Sequence, residues 1–131
     1  MSGEKNLEKI LKNLNPVLND GRYVYCCVKS TENIPFAAIL FLFKETEGIT
    51  VILKKEDADQ LNLEYSYIAA WITFNVHSSL EAVGMTAAFS AILGQENISC
   101  NVVAGYYHDH IFIDQKDAQK AMKALSHFQS N

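Results

Sequence analysis

The chain has 131 residues, 49% of them hydrophobic and 20% charged, the composition of one ordinary globular domain or of two very small ones fused, which excludes disordered, collagen-like and low-complexity chains. At this length a core forms without a disulfide or metal staple. Fifteen acidic residues against eleven basic ones give a net charge of -4 with the lysines dispersed, so no nucleic-acid partner is expected, because phosphate binding needs a concentrated basic face.

The polar opening residues Met1 to Asn6 do not read as a signal peptide. The longest apolar run, Phe36 to Phe43, is far short of the roughly 20 residues that span a bilayer, so no membrane segment is expected and the location expected is cytoplasmic. Leu7, Ile10, Leu11 and Leu14 make one apolar helical stripe, ended by Pro16 and the turn Asn19-Asp20-Gly21. Arg22 to Val28 reads as a strand. So do Phe36 to Phe43 and Ile49 to Leu53, joined by a polar loop ending in Gly48, with a short helix from Lys55 to Leu61. Tyr65 to Val76 is strand-like for longer than one usual strand, which suggests two strands meeting near Ala70.

The strongest helix signal follows, with Leu80, Val83, Gly84, Ala87, Ala88, Ala91 and Ile92 on one stripe. Ser78 and Glu81 form a capping box, and Gly94 stands where a left-handed terminal residue is expected. Ile98 to Val103 and His110 to Ile113 read as strands. The last helix runs to Phe128, with its stripe at Ala118, Ala121, Met122, Leu125 and Phe128. Cys26, Cys27 and Cys100 cannot all pair and read as reduced core thiols.

An internal repeat organises these elements. Val51 to Ala58 and Ile111 to Ala118 superimpose at an offset of 60: three apolar residues, three polar ones, then Asp-Ala. Matching Tyr23 to Val28 with Trp71 to Val76 gives an offset of only 48, so the later half holds about twelve extra residues, the length of the capped helix. Two halves are expected, 1–68 and 69–131, forming one compact unit in which neither folds alone. The fold expected is α+β, a tandem of ferredoxin-like βαββαβ sheets with helices on the sheet faces. The later half lacks its last strand, which must come from the first half or from another subunit.

Trp71 to Ala88, with its His77-Ser78-Ser79 and Gly84-Met85-Thr86, and Ile98 to His110, with its Gly105-Tyr106-Tyr107-His108-Asp109, resemble the ACT-like regulatory domains, in particular a small bacterial group of tandem ACT proteins. Leu14 to Leu18 and Gly21 to Cys26 are similar to that group's N-terminal signature. The resemblance implies a ferredoxin-like fold and a non-enzymatic regulatory protein that senses a small ligand, usually an amino acid. A more distant likeness is to the ACT units of the CASTOR arginine sensors. Gly84-Met85, Tyr106 and Asp109 match pocket positions there, whereas Ala104, Gly105 and His108 replace three hydroxyl residues, so arginine specificity does not carry over.

The residues themselves outline a clamp. The turn His77-Ser78-Ser79 presents helix N-terminal amides to an α-carboxylate, Asp109 accepts an α-ammonium, and Gly84 permits close backbone approach. The site expected is therefore His77, Ser78, Ser79, Gly84, Met85, Gly105, Tyr106 and Asp109. A plainer account makes Ser78 a cap, Gly84 a packing residue and Asp109 a turn former. The alternative chemistry is a metal on His77, His108 and His110, in a metal-binding protein or a metal-dependent enzyme. A third possibility is a structural protein-protein interaction domain without ligand. Cys100, inside a strand, is expected to be an inert thiol, so no catalytic residue and no cofactor are expected. A homodimer is expected, because symmetric pairing completes open sheet edges.

Overall fold

The computed structural model describes residues 9, 11–75 and 82–127. Lys9, Leu11 and Lys12 are helical, within the span expected for the opening helix. There follow β1 (Pro16–Leu18), β2 (Tyr23–Val28), a 3-10 turn (Phe36–Ala38), β3 (Ile39–Lys44), β4 (Ile49–Lys54) and α1 (Lys55–Gln60). The rest of the chain forms β5 (Ile68–Phe74), α2 (Ala82–Gln95), β6 (Cys100–Ala104), β7 (Asp109–Asp114), a second 3-10 turn (Gln115–Asp117) and α3 (Ala118–Ser126). Two compact units result, residues 20–70 and residues 1–19 with 71–131, and their division falls inside β5.

In the unit of residues 20–70 the strands lie in the order β3-β4-β2-β5. Numbered along a βαββαβ unit these are strands 2, 3, 1 and 4, the ferredoxin-like order, with the first helix missing. β2 pairs with β4 along its whole length, from Tyr23↔Lys54 to Val28↔Ile49. Val24, Cys26, Val51, Leu53 and Ala58 form the core with Ile34, which enters from the loop where the other unit has a helix. β3 starts later than expected. Ala38 donates its N–H to the Pro35 carbonyl and closes a 3-10 turn, for which the Ala37-Ala38 pair is better suited than for a strand. Phe36 is left 89% exposed. Cys27 is also exposed rather than in the core, because it alternates in β2 with buried Cys26.

In the unit of residues 1–19 and 71–131 the order is β1-β5-β7-β6, again strands 4, 1, 3 and 2. The missing last strand comes from the N-terminal segment: β1 pairs antiparallel with β5 through Pro16↔Phe74, Val17↔Thr73 and Leu18↔Ile72. Asn19 N–H to Trp71 O and Asn75 N–H to Asn15 O close the two ends of this pairing. Pro16 fits at the first strand position, where its missing donor does not interrupt the ladder. β5 is one continuous strand rather than two meeting near Ala70, and it begins only at Ile68. Ile72, Phe74, Ile111 and Ile113 are buried on the helix side, where Phe74 stacks on Phe89 of α2 with centroids 4.5 Å apart.

The offset of 60 holds throughout the two hairpins. β3 and β4 close at Lys44↔Ile49 with Glu45 N–H to Gly48 O, and β6 and β7 close at Ala104↔Asp109 with Gly105 N–H to His108 O. Val51-Ile52-Leu53 and Ile111-Phe112-Ile113 are buried in turn, and each corner buries its alanine, Ala58 or Ala118.

α2 departs from expectation at both its face and its end. Met85, Ala88, Phe89 and Leu93 are buried, while Ala87 and Ala91 are exposed. The helix is apolar nearly all round, so the stripe with the larger side chains takes the core because it removes more apolar area from water. Its terminus uses Asn97, with φ of 59°, whereas Gly94 stays in the helix. Ile98 N–H bonds Leu93 O and Asn97 N–H bonds Gly94 O, a Schellman motif whose apolar contact joins buried Leu93 and Ile98. This use of Ile98 delays β6 to Cys100. α1 ends the same way at Asn62, with φ of 57° and Leu63 N–H on Ala58 O. Asn97→Ala is expected to destabilise by about 1 kcal/mol and Asn97→Gly to be neutral or slightly stabilising, because only alanine meets the left-handed penalty in full. Urea denaturation of the two variants checks this. The capping box Ser78 and Glu81 lies outside the described residues.

Candidate functional site

In the unit of residues 1–19 and 71–131 a polar cluster lies on the sheet face opposite the helices. Trp71 and Thr73 alternate in β5 with buried Ile72 and Phe74, and His110 and Phe112 alternate in β7 with Ile111 and Ile113, which puts the four on one face. His110 Nδ1 lies 3.0 Å from Trp71 Nε1 and 3.0 Å from Thr73 Oγ1. Thr73 Oγ1 accepts from Asn19 Nδ2 at 2.9 Å, and the same amide donates to the Trp71 carbonyl. Trp71 also stacks on Phe112, with centroids 6.3 Å apart and planes 17° from parallel.

This cluster fixes a protonation state. An indole N–H is only a donor, so Nδ1 of His110 must present its lone pair and the neutral ring carries its proton on Nε2. Burial, helped by the neighbouring His108, holds the imidazole below its ordinary range, with Asp109 acting in the opposite sense.

The Thr73–His110 contact joins the end of β5 to the start of β7. Asn75, just past the end of β5, and the β6–β7 turn at 105–108 are thereby brought to one end of the sheet. That turn is tight: Gly105 N–H reaches His108 O at 2.8 Å, and a Cβ on Gly105 would stand 3.1 Å from His110 Nε2. A side chain at that position would press on the imidazole and on the His108 carbonyl, which would have to give by a few tenths of an ångström.

Of the expected site residues, Gly105, Tyr106 and Asp109 come together in this one hairpin. Asp109 is half-buried at the start of β7, and Tyr106 is 94% exposed, edge-on to Tyr107 at 4.9 Å. Gly84 and Met85 sit in the first turns of the described part of α2, Gly84 half-buried and Met85 buried. His77, Ser78 and Ser79 lie outside the described residues. His108 and His110 approach with ring centroids 6.5 Å apart. Yet Nδ1 of His110 is taken by Trp71 and its Nε2 edge faces Gly105, and among the described residues no three His, Cys, Asp or Glu side chains gather to hold a metal. Burial pushes the Cys100 thiol up, with Ser90 pulling weakly the other way, as suits an inert thiol. No described helix is long and apolar enough to cross a membrane. A shallow groove of about 320 Å³ lies at the far end of α2, lined by Ile92, Glu96, Lys120, Lys123 and His127, and it contains none of the expected site residues.

Asn19, Trp71 and Thr73 were not anticipated as site residues. Their only sequence signal is the i, i+2 spacing of Trp71 and Thr73, matched by His110 and Phe112.

Comparison with known proteins accords with this architecture. No curated protein matches. Among solved structures, a protein of unknown function from Vibrio cholerae, described as a possible transport protein, is 48% identical over 95% of this chain and 96% of its own, with a TM-score of 0.82. A protein from Agrobacterium tumefaciens, 16% identical over 87% of each chain, superimposes with a TM-score of 0.67. The ligand-free regulatory subunit of aspartate kinase from Thermus thermophilus does so with 0.64, at 8% identity over 88% of this chain and 97% of its own. These last two show likeness of fold alone. Two different ACT domain models match, one over residues 2–70 and the other over residues 66–127, and the chain therefore belongs to the ACT domain family of regulatory proteins.

Proposed function

We propose that this protein is a non-enzymatic regulatory module that binds a small amino-acid-like ligand where the entry to α2 meets the β6–β7 turn. The observation that carries the proposal is the placement of half-buried Asp109 at the start of β7, one residue from the His110 contact that draws the end of β5 alongside. A carboxylate there suits an α-ammonium, and Gly105 and Tyr106 supply a close backbone and an aromatic wall beside it. His77, Ser78 and Ser79 would hold the α-carboxylate on backbone amides, with Gly84 and Met85 behind them.

A thermal-shift screen with the twenty amino acids and a set of divalent metals tests this. A ligand at 100 times its dissociation constant adds roughly 2.7 kcal/mol, a clear rise in melting temperature. The expected result is stabilisation of wild type by one or a few amino acids, lost in Asp109→Ala. Stabilisation by zinc alone, or by nothing, would overturn the proposal in favour of a metal site or a ligand-free interaction module.

Ligand binding in such a module acts through association. The edge strand β3 leaves Leu40, Leu42 and Phe43 at 38%, 38% and 57% exposure, an apolar margin suited to a second copy. Light scattering on the purified chain is expected to give a dimer, and a monomer at every concentration would remove this part of the proposal.

A further inference from the structure

The Trp71–His110–Gly105 cluster does more than hold the hairpin in place. Nδ1 of His110 faces two hydrogen-bond partners at 3.0 Å, and one of them, the Trp71 indole, can only donate. A second proton on the ring has one place to go, the same Nδ1. Thr73 can adapt, since its hydroxyl rotates and its oxygen accepts a further bond beside that from Asn19. Trp71 cannot, and two N–H groups would then point at each other.

The opposite edge of the ring lies against Gly105, where a Cβ would stand 3.1 Å from Nε2 and 3.3 Å from Cδ2. Gly105 in turn closes the β6–β7 turn on His108 O. A shift of the imidazole away from the indole is therefore passed directly to the turn that carries Tyr106 and Tyr107. We propose that His110 is a proton-operated latch: neutral, it holds the Trp71 indole and seats the β6–β7 turn; protonated, it releases the indole and loosens the turn.

The surroundings are suited to this. Among the described residues, the titratable groups acting on the ring are His108, whose charge disfavours protonation, and Asp109, whose charge favours it. β5 presents Trp71 and Thr73, the N-terminal segment presents Asn19, and β6 places Val103 opposite, none of them titratable. Desolvation and His108 outweigh Asp109, so the neutral state holds at neutral pH and the latch opens on acidification. The stability effect has a definite sign. The unfolded imidazole titrates near about 6.5, so above that value the effect is nil, and stability is lost as pH falls from there through the lower folded value.

Trp71 is the chain's single tryptophan, so its fluorescence and its indole N–H resonance report on this one site. With ligand-free protein titrated from pH 8 to pH 4.5, both signals are expected to change with a single midpoint below about 6.5, shared with the ring nitrogens of His110. Those nitrogens should show the Nε2–H tautomer at neutral pH. Amide exchange at Gly105 and Tyr106 is expected to accelerate over the same interval. His110→Gln, whose side-chain oxygen accepts the indole N–H but does not titrate, should abolish the transition. An Nδ1–H tautomer in wild type, a Trp71 midpoint at or above the ordinary imidazole value, or an unchanged transition in His110→Gln would each overturn the latch. The tautomer measurement needs no variant to fold. Because the latch acts on the turn of the proposed ligand site but is read without ligand, its failure and a failure to bind an amino acid are separate results.

Discussion

Deletion of residues 1–19 is expected to abolish the fold of the unit that contains residues 71–131, not merely to weaken it. Those residues carry β1, the fourth strand of that unit's sheet, with Leu11 and Leu14 at 8% and 0% exposure and the Asn19 amide that holds Trp71 and Thr73. Without β1, the backbone of residues 72–74 becomes an open edge next to a bared apolar core, a surface that aggregates. Amide exchange on β5 and β7 is the measurement, and native protection in the deleted chain would show that β1 is dispensable. Leu14→Ala gives a graded version. Removing a fully buried leucine costs about 2–5 kcal/mol, to be seen as a lower urea midpoint with an unchanged slope.

Phe74→Ala is expected to cost about 3–5 kcal/mol, a large part of the roughly 5–15 kcal/mol that holds a domain of this size together. Phe74 and Phe89 are both fully buried and stack with centroids 4.5 Å apart and planes 11° from parallel, a direct contact between α2 and β5. Phe74→Leu keeps most of the volume and should cost less than about 1.5 kcal/mol. A double-mutant cycle with Phe89→Ala should show coupling, since each ring loses its partner in the first substitution. Additive costs would mean that the two rings are merely neighbours.

Both predictions rest on features that differ in how far the sequence reveals them. The repeat was legible because each copy is local: three apolar residues followed by a polar corner and Asp-Ala give a buried strand and a helix start within eight positions. The structure keeps the offset of 60 through both hairpins and buries the matching residues. The α3 stripe was legible for the same reason, with Ala118, Ala121 and Leu125 buried at helical spacing. Gly105, Tyr106 and Asp109 could be grouped from sequence because five residues of one hairpin stay together in any fold.

β1 was not legible, because three residues carry no periodicity and Pro16 reads as the end of a helix. On α2, where small and large apolar residues surround the axis, periodicity could not choose the stripe, and the choice fell to Met85, Phe89 and Leu93 by size. The terminus at Asn97 rather than Gly94 followed from where Leu93 and Ile98 could bury each other.

By itself, then, the sequence determined the α+β class, the two-fold repeat and the ACT resemblance, all of which depend on short-range pattern. Tertiary structure alone decided that the N-terminal strand completes the later sheet and that Asn19, Trp71, Thr73 and His110 meet. Residues 37 to 54 positions apart are neighbours only once the order β1-β5-β7-β6 is set, and that order is chosen by burial of whole faces, a quantity that no single segment contains.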